Sequence, residues 1–442
     1  MVADRKPRSI FLDGRSWPLF HLIASLFLVM LFALHWFGLD AVFDTRISSP
    51  ILFQVREMVG RTQDLNPRVK ILALDDSTFS YLGGPRLSYD QLEALLRNIA
   101  ARKPKAILID SLLADTPFIP TKITTQEVDI PVYSGSFMSG MEVQYRLPSE
   151  LKLDVYKPQT YLHDVYSVDH LNYKIDSHEG WYIYGHSHTY DHLIRGVGHI
   201  TFNSDATISP FFLLGEKTLI PHLSLFAADS IQMTEKKLLI DGHVVPLTRD
   251  GRVMINHRNP NSFYKRAAPL KFAIQRALNH EVESKVNEGD VVVILFAFAT
   301  GNTDFHEGGP FGPMPGGMII ASMVSDVLDG TWLTKWETDG LLIVIFGFFG
   351  IIVGINLSIR RYLLALIGVW SFYTIFVVAC FIYGAIWCPW AMPMLAFTGT
   401  SLIHFVHVRI YEEMKLMLIE RNYQLEKAKR LERTHGGGRR IS

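Results

Sequence analysis

The chain is short of charge and almost empty of cysteine. Charged residues fill 19% of its 442 positions, where soluble globular chains carry about 25%. The formal net charge is zero, so no overall basic field gathers nucleic acid, and no nucleic-acid partner is expected. Both cysteines, Cys380 and Cys388, lie in the C-terminal hydrophobic region. Residues 40–337 have none, so that stretch cannot be a disulfide-stapled fold and must rest on its own core.

Hydrophobic residues make up 48% of the chain and gather in four runs, residues 17–39, 341–359, 362–385 and 389–408. Each is close to the roughly 20 apolar residues that span a bilayer. The first is too long for a signal-peptide core of about 7–15 residues, and no small-residue cleavage site follows it, so it reads as an uncleaved anchor. Arg5, Lys6, Arg8 and Arg15 precede the first run. Arg360 and Arg361 sit between the second and third, and Arg409, Lys415, Arg421, Lys427, Lys429, Arg430 and Arg433 follow the fourth. The turn Gly384–Trp390 has tryptophans and no charge. Lys and Arg favour the cytoplasmic side, which puts residues 1–16 and the basic helical tail 409–442 inside and residues 40–337 outside.

The outer stretch carries α/β signals. Val69–Leu74 and Lys105–Asp110 read as buried strands, with Ser88 capping a helix over 89–102 whose Leu92, Leu95, Leu96 and Ile99 form one stripe. That is a βαβ unit with two neighbouring parallel strands. Asp290–Phe296 reads as a third buried strand and Met318–Leu328 as a helix. Between them, 129–133, 199–203, 237–240 and 253–255 read as strands, 216–232 and 263–280 as helices, and 134–192 as an irregular surface excursion. The expected fold is a mixed-sheet α/β extracytoplasmic domain plus four transmembrane α-helices.

Three motifs carry a resemblance: Leu74-Asp75-Asp76-Ser77, then Gly83-Gly84-Pro85-Arg86, then a strand ending in Asp110. Gly198-His199 ahead of Asp205 follows, and after the strand Val291–Leu295 come Asp304, Pro315-Gly316 and Ala321. In this order, with one helix before and three after, the chain resembles the second class of CHASE domain, an extracytoplasmic sensor domain of bacterial receptors. The resemblance covers about residues 40–408. It departs at Phe296–Gly301, where the family often has Gly-x-Thr/Ser-Ala, and at Ile320, where it often has His. The resemblance implies a bacterial inner-membrane receptor with a periplasmic or extracellular sensor. Family members usually carry a kinase or cyclase next; here residues 409–442 hold no such motif, and no enzymatic activity is expected.

Four carboxylates gather at strand ends: Asp75, Asp76, Asp110 and Asp304. Ligands of open α/β sheets bind beyond those ends, and such a set suits a ligand or a divalent cation. The same residues equally suit caps and turns. His186, His188, Asp191 and His192 crowd into seven residues, a set able to hold a transition metal, or simply a surface histidine cluster. His21, His404 and His407 fall in the membrane runs, suited to cross-helix hydrogen bonds or, less simply, to a paired-His haem. The prolines of Gly308–Gly317 remove the N–H groups a phosphate cradle needs, leaving a rigid loop. In the tail, Tyr411, Met414, Leu418 and Leu425 approximate heptad spacing, broken by Arg421.

These readings converge on a membrane-anchored sensor or scaffold, without a cofactor, embedded in the lipid bilayer and paired as a homo-oligomer. It would recognise an envelope signal or protein partner and pass it to a separate cytoplasmic protein. The alternatives are a constitutive structural subunit of an envelope assembly and a metal-dependent envelope enzyme.

Overall fold

A computed structural model describes residues 16–37, 44–84, 86–111, 113, 126–139, 176–178, 182–186, 188–202, 207–214, 218–234, 237–296, 305–306, 310–336 and 339–436. Two compact units emerge: Thr45–Glu337 with Val378–Cys388, and Met1–Asp44 with Thr338–Val377 and Pro389–Ser442.

The larger unit begins with helix α2 (Ser49–Met58), numbered after α1 (Ser16–Trp36) of the smaller. Then come β1 (Val69–Leu74), α3 (Asp76–Leu82), α4 (Tyr89–Ala100), β2 (Ala106–Ile109), β3 (Val132–Ser139), β4 (Asp176–His178), β5 (Tyr182–Tyr184) and β6 (Gly196–His199). Short strands β7 (Thr207–Ile208), β8 (Phe211–Leu214), β9 (Thr218–Pro221), β10 (Ile231–Thr234), β11 (Lys237–Ile240), β12 (His243–Val245) and β13 (Val253–Met254) follow. The chain returns through α5 (Pro260–Arg266), β14 (Ala267–Pro269), α6 (Leu270–Leu278), β15 (Val291–Phe296), β16 (Phe305–His306), β17 (Met314–Pro315), α7 (Gly316–Asp329) and β18 (Thr334–Lys335).

One sheet organises this unit, in the order β14-β1-β15-β2-β3-β5 with β6 also on β3. All its pairings are parallel except β3 with β5. Alternation along the strands divides the core in two. Val69, Ile71, Ala73, Val291, Val293 and Leu295 face α7 and the 3-10 turn Leu223–Ala227. Leu72, Leu74, Val292, Ile294, Ile107 and Ile109 face α4 and α6. Strands buried on both faces read as unbroken apolar runs, which is why they stand out in the sequence. Ser88 caps α4, as the sequence predicts, and does so in a reciprocal box with Gln91. Gly198 permits a close crossing, because a Cβ there would lie 2.7 Å from the Cα of Leu223.

Several elements differ from expectation. β1 and β2 are parallel but not neighbours, for β15 lies between them. Periodicity sets which face a side chain takes, not which strand lies beside which, and a crossover can leave a slot that a distant segment fills. Among the described residues 218–232 the expected helix over 216–232 gives way to β9, a 3-10 turn and β10, since Pro221 lacks an N–H and the His222 ring caps the turn at Ser224 N. The helix over 263–280 is broken by β14, which pairs with β1 at Ile71–Ala73 and ends on Pro269. The strand over 129–133 starts only at Val132, and that over 199–203 is Gly196–His199.

Among the described residues, three helices are long and apolar enough to cross a membrane: Leu19–Trp36 of α1, Ile359–Gly384 (α9), and Ala391–Leu431 within α10 (Ala391–Gly436). A shorter apolar helix, α8 (Asp339–Asn356), precedes α9. α8 and α10 meet through small residues. A Cβ on Gly350 would strike Phe397 O at 2.5 Å, and Thr400 Oγ1 donates to Gly347 O at 2.9 Å, the small-residue packing typical of membrane helices. His404 and His21 hydrogen-bond directly between α10 and α1, Nε2 to Nδ1, at 3.1 Å.

Candidate functional site

The carboxyl ends of the parallel strands form one edge of the sheet. Register places Leu74 opposite Phe296, and Ile109 opposite Ile294 and Ser134. Asp75 and Asp110 therefore lie on either side of the end of β15, two strands apart and staggered by two residues along the strand direction. Asp304 lies outside the described residues, so the four-carboxylate set is only partly placed.

Asp75 is occupied as an N-cap. It accepts from Thr78 N at 2.9 Å, Thr78 Oγ1 at 2.7 Å and Ser77 Oγ at 2.8 Å. Burial by itself raises its pKa, but these bonds outweigh burial and hold the carboxyl below its ordinary value. Asp76 opens the first turn of α3. Asp110 is 7% exposed, and its amide donates to Ile294 O at 2.8 Å, binding the end of β2 to β15.

The histidine cluster is not a simple surface feature. His186 is 4% exposed; its Nε2 lies 3.1 Å from Asp191 Oδ1 and its Nδ1 3.4 Å from Ser134 Oγ on β3. His192 is half-buried, while the His188 side chain lies outside the described residues. Among the described residues no three His, Cys, Asp or Glu side chains group as a metal site would require. The expectation of an exposed cluster therefore fails at His186, whose buried ring meets Ser134 of β3 on one side and Asp191 on the other.

Sequence reasoning missed a buried ionic cluster. Arg258 is 2% exposed and Asp326, inside the apolar helix α7, is fully buried. Arg258 Nη2 donates to Asp326 Oδ1 at 2.5 Å and to Thr331 Oγ1 at 2.6 Å, and Nη1 lies 3.1 Å from Asp329. Arg56 of α2 donates to Asn256 Oδ1 at 2.8 Å, and Asn256 Nδ2 donates to Thr331 O at 3.2 Å. Burial pushes the Asp326 carboxyl up to about 7, against the pull of Arg258. Burial pushes His257, the residue before Arg258, down to about 3, and the same happens to His222 elsewhere in the core. The available signal was Asp326, the one charged residue in the run Met318–Leu328, since a lone acid on a buried face needs a cationic partner.

The tail is a single helix: α10 runs unbroken from Ala391 to Gly436. Leu416, Met417, Leu418, Ile419, Tyr423 and Leu425 are all exposed on it. Tyr411 and Met414 are half-buried.

A mixed, mostly parallel sheet with apolar helices before and after it in the chain is the architecture of a membrane-anchored α/β domain protein. The chain belongs to the CHASE2 domain family, whose model matches residues 19–354. No curated protein and no solved structure matches the chain. It is thus a membrane protein with a large extracytoplasmic CHASE2 sensor domain.

Proposed function

We propose that this chain is a bacterial inner-membrane receptor whose outer domain recognises an envelope signal or partner and hands it to a separate cytoplasmic protein through paired tails. The observation that carries the reading is α10, a helix that leaves the apolar region without interruption and continues to Gly436 with exposed Leu418 and Leu425. Such a face needs a partner to cover it, and the seam Tyr411, Met414, Leu418, Leu425 fits a second copy. The positively charged flanks support cytoplasmic termini. A small ligand would be met beyond the carboxyl ends of β1, β15 and β2, the edge to which Asp76 and Asp110 belong.

Cysteine substitutions test the pairing. Inter-chain disulfides at Leu418→Cys and Leu425→Cys, but not at Glu420→Cys, are expected. Equal yields at all three, or none, reduce the tail to a basic membrane-surface segment. A phosphatase reporter fused after Asp250 should be active and one fused after Arg433 silent; the reverse pattern overturns the orientation.

A further inference from the structure

The turn between α9 and α10 counts with the outer domain, not with the membrane helices. Its strand β19 (Ile386–Trp387) runs parallel to β18, with Thr334 opposite Ile386 and Lys335 opposite Trp387. Thr334 N donates to Ala385 O and Trp336 N to Trp387 O, both at 2.9 Å. Phe381, in the last turns of α9, is fully buried. Its ring meets Phe53 of α2 edge-on at 5.0 Å and Trp387 at 5.8 Å, and the Arg56 guanidinium stands 5.4 Å from its centroid. Trp387 and Cys388 are buried too. Arg56 is the same residue that bonds Asn256, so the turn and the Arg258–Asp326 cluster share a side chain.

Only Pro389 and Trp390 separate this clamped turn from α10, which is one unbroken helix from Ala391 to Gly436; Pro393 falls in its first turn, where no N–H is needed, and Gly399 is followed by neither Pro nor Gly from Thr400 to His435. A displacement of the turn is therefore passed along one stiff element, as packed helices pass small shifts. We propose that the domain acts on the tail through this turn, with Phe381, Trp387 and Arg56 as its clamp and the β18–β19 bridge as its hinge. The inference rests on the receptor reading and names the element that such a receptor needs: one whose packing both the domain and the tail bias.

The test uses the full chain in lipid nanodiscs, with a charged, membrane-impermeant nitroxide on Leu425→Cys and the parent chain as the control for Cys380 and Cys388. Phe381→Ala is compared with Leu96→Ala, which opens a cavity in the opposite core, where Leu96 is fully buried. Phe381→Ala is expected to shift the nitroxide line shape, while Leu96→Ala, with a similar loss of melting temperature, leaves it unchanged. Equal shifts from both, or no shift from either, would overturn the proposal. If Phe381→Ala does not fold, Phe381→Leu is read in the same way. The line shape is measured within one chain, so it stands or falls separately from the inter-chain crosslinking that tests the receptor reading.

Discussion

The carboxyl edge of the main sheet and the cluster around Arg258 both gather carboxylates, but they treat them in opposite ways. Asp75 is partly solvated, accepts from two hydroxyls and an amide, and is held below its ordinary pKa. Asp326 has no exposure, keeps one oxygen without a partner, and is pushed up to about 7. A capped carboxylate adds a little stability at small risk. A buried ion pair contributes little net stability, but breaking it is severe, because the surviving charge stays desolvated. The first arrangement settles a local turn; the second ties α2, the 256–258 segment and the end of α7 to one another.

The largest expected effect on that contrast comes from acid. His222 and His257 are neutral in the fold, pushed to about 3 from an ordinary 6.5. The unfolded chain binds more protons between those values, so stability falls as pH falls from 6.5 towards 3. At 1.36 kcal/mol per pH unit, each imidazole accounts for on the order of 5 kcal/mol at the acid end. Asp326 runs the other way. Its folded pKa lies near 7 and its ordinary value at 3.8, so across that window the fold holds the extra proton and gains as pH drops. Two imidazoles outweigh one carboxyl, and the melting temperature of the full chain should drop between about pH 6.5 and pH 4. Asp326→Asn removes the opposing slope and should steepen the drop. A flat profile would mean that the buried rings have proton partners after all.

Next in size is removal of one ion. Asp326→Ala leaves Arg258 buried with only the partly exposed Asp329 as a carboxylate partner, and should cost about 3–5 kcal/mol. The double replacement Arg258→Met with Asp326→Leu takes away both charges and should cost far less. Chemical denaturation of the parent, Asp326→Ala and the double variant separates the cases. A double variant as unstable as the single one would show that geometry, not charge, is what the cluster supplies.

At the carboxyl edge the expected change is smaller. Asp75→Ala removes the N-cap of α3 and should cost about 1 kcal/mol, while Asp75→Asn keeps an acceptor and most of the stability. A loss from Asp75→Ala as large as that from Asp326→Ala would erase the distinction between the two regions.

The same contrast explains what the sequence made legible. β1, β2 and β15 are apolar through their length because both faces are covered, and α4 carries its own cap and stripe. Those signals are local. The insertion of β15 between β1 and β2 joins residues more than 180 positions apart, such as Ile107 and Val292, and no local pattern encodes it. Pro269 was visible inside the expected helix 263–280, yet its meaning depends on β1 lying alongside. Asp75 could be read as a cap from Asp-Asp-Ser-Thr alone, whereas Arg258 and Asp326 meet across 68 positions. The enclosure of His186 likewise depends on Ser134, 52 positions earlier.

The smallest expected effect on the outer domain belongs to the tail. Arg421 falls at a seam position between Leu418 and Leu425, where a guanidinium weakens an apolar contact between helices. It is exposed on α10, so Arg421→Leu should leave the domain's melting within about 0.5 kcal/mol of the parent. Its effect should appear between chains instead, as a higher yield of the inter-chain disulfide at Leu418→Cys. A weak seam suits a switch, since two helices held loosely can be re-registered by a modest displacement upstream. A leucine there should therefore favour one register. If the crosslinking yield does not change, the contact between tails runs along another face of α10, and Leu416 with Tyr423, seven residues apart and both exposed, become the next positions to substitute.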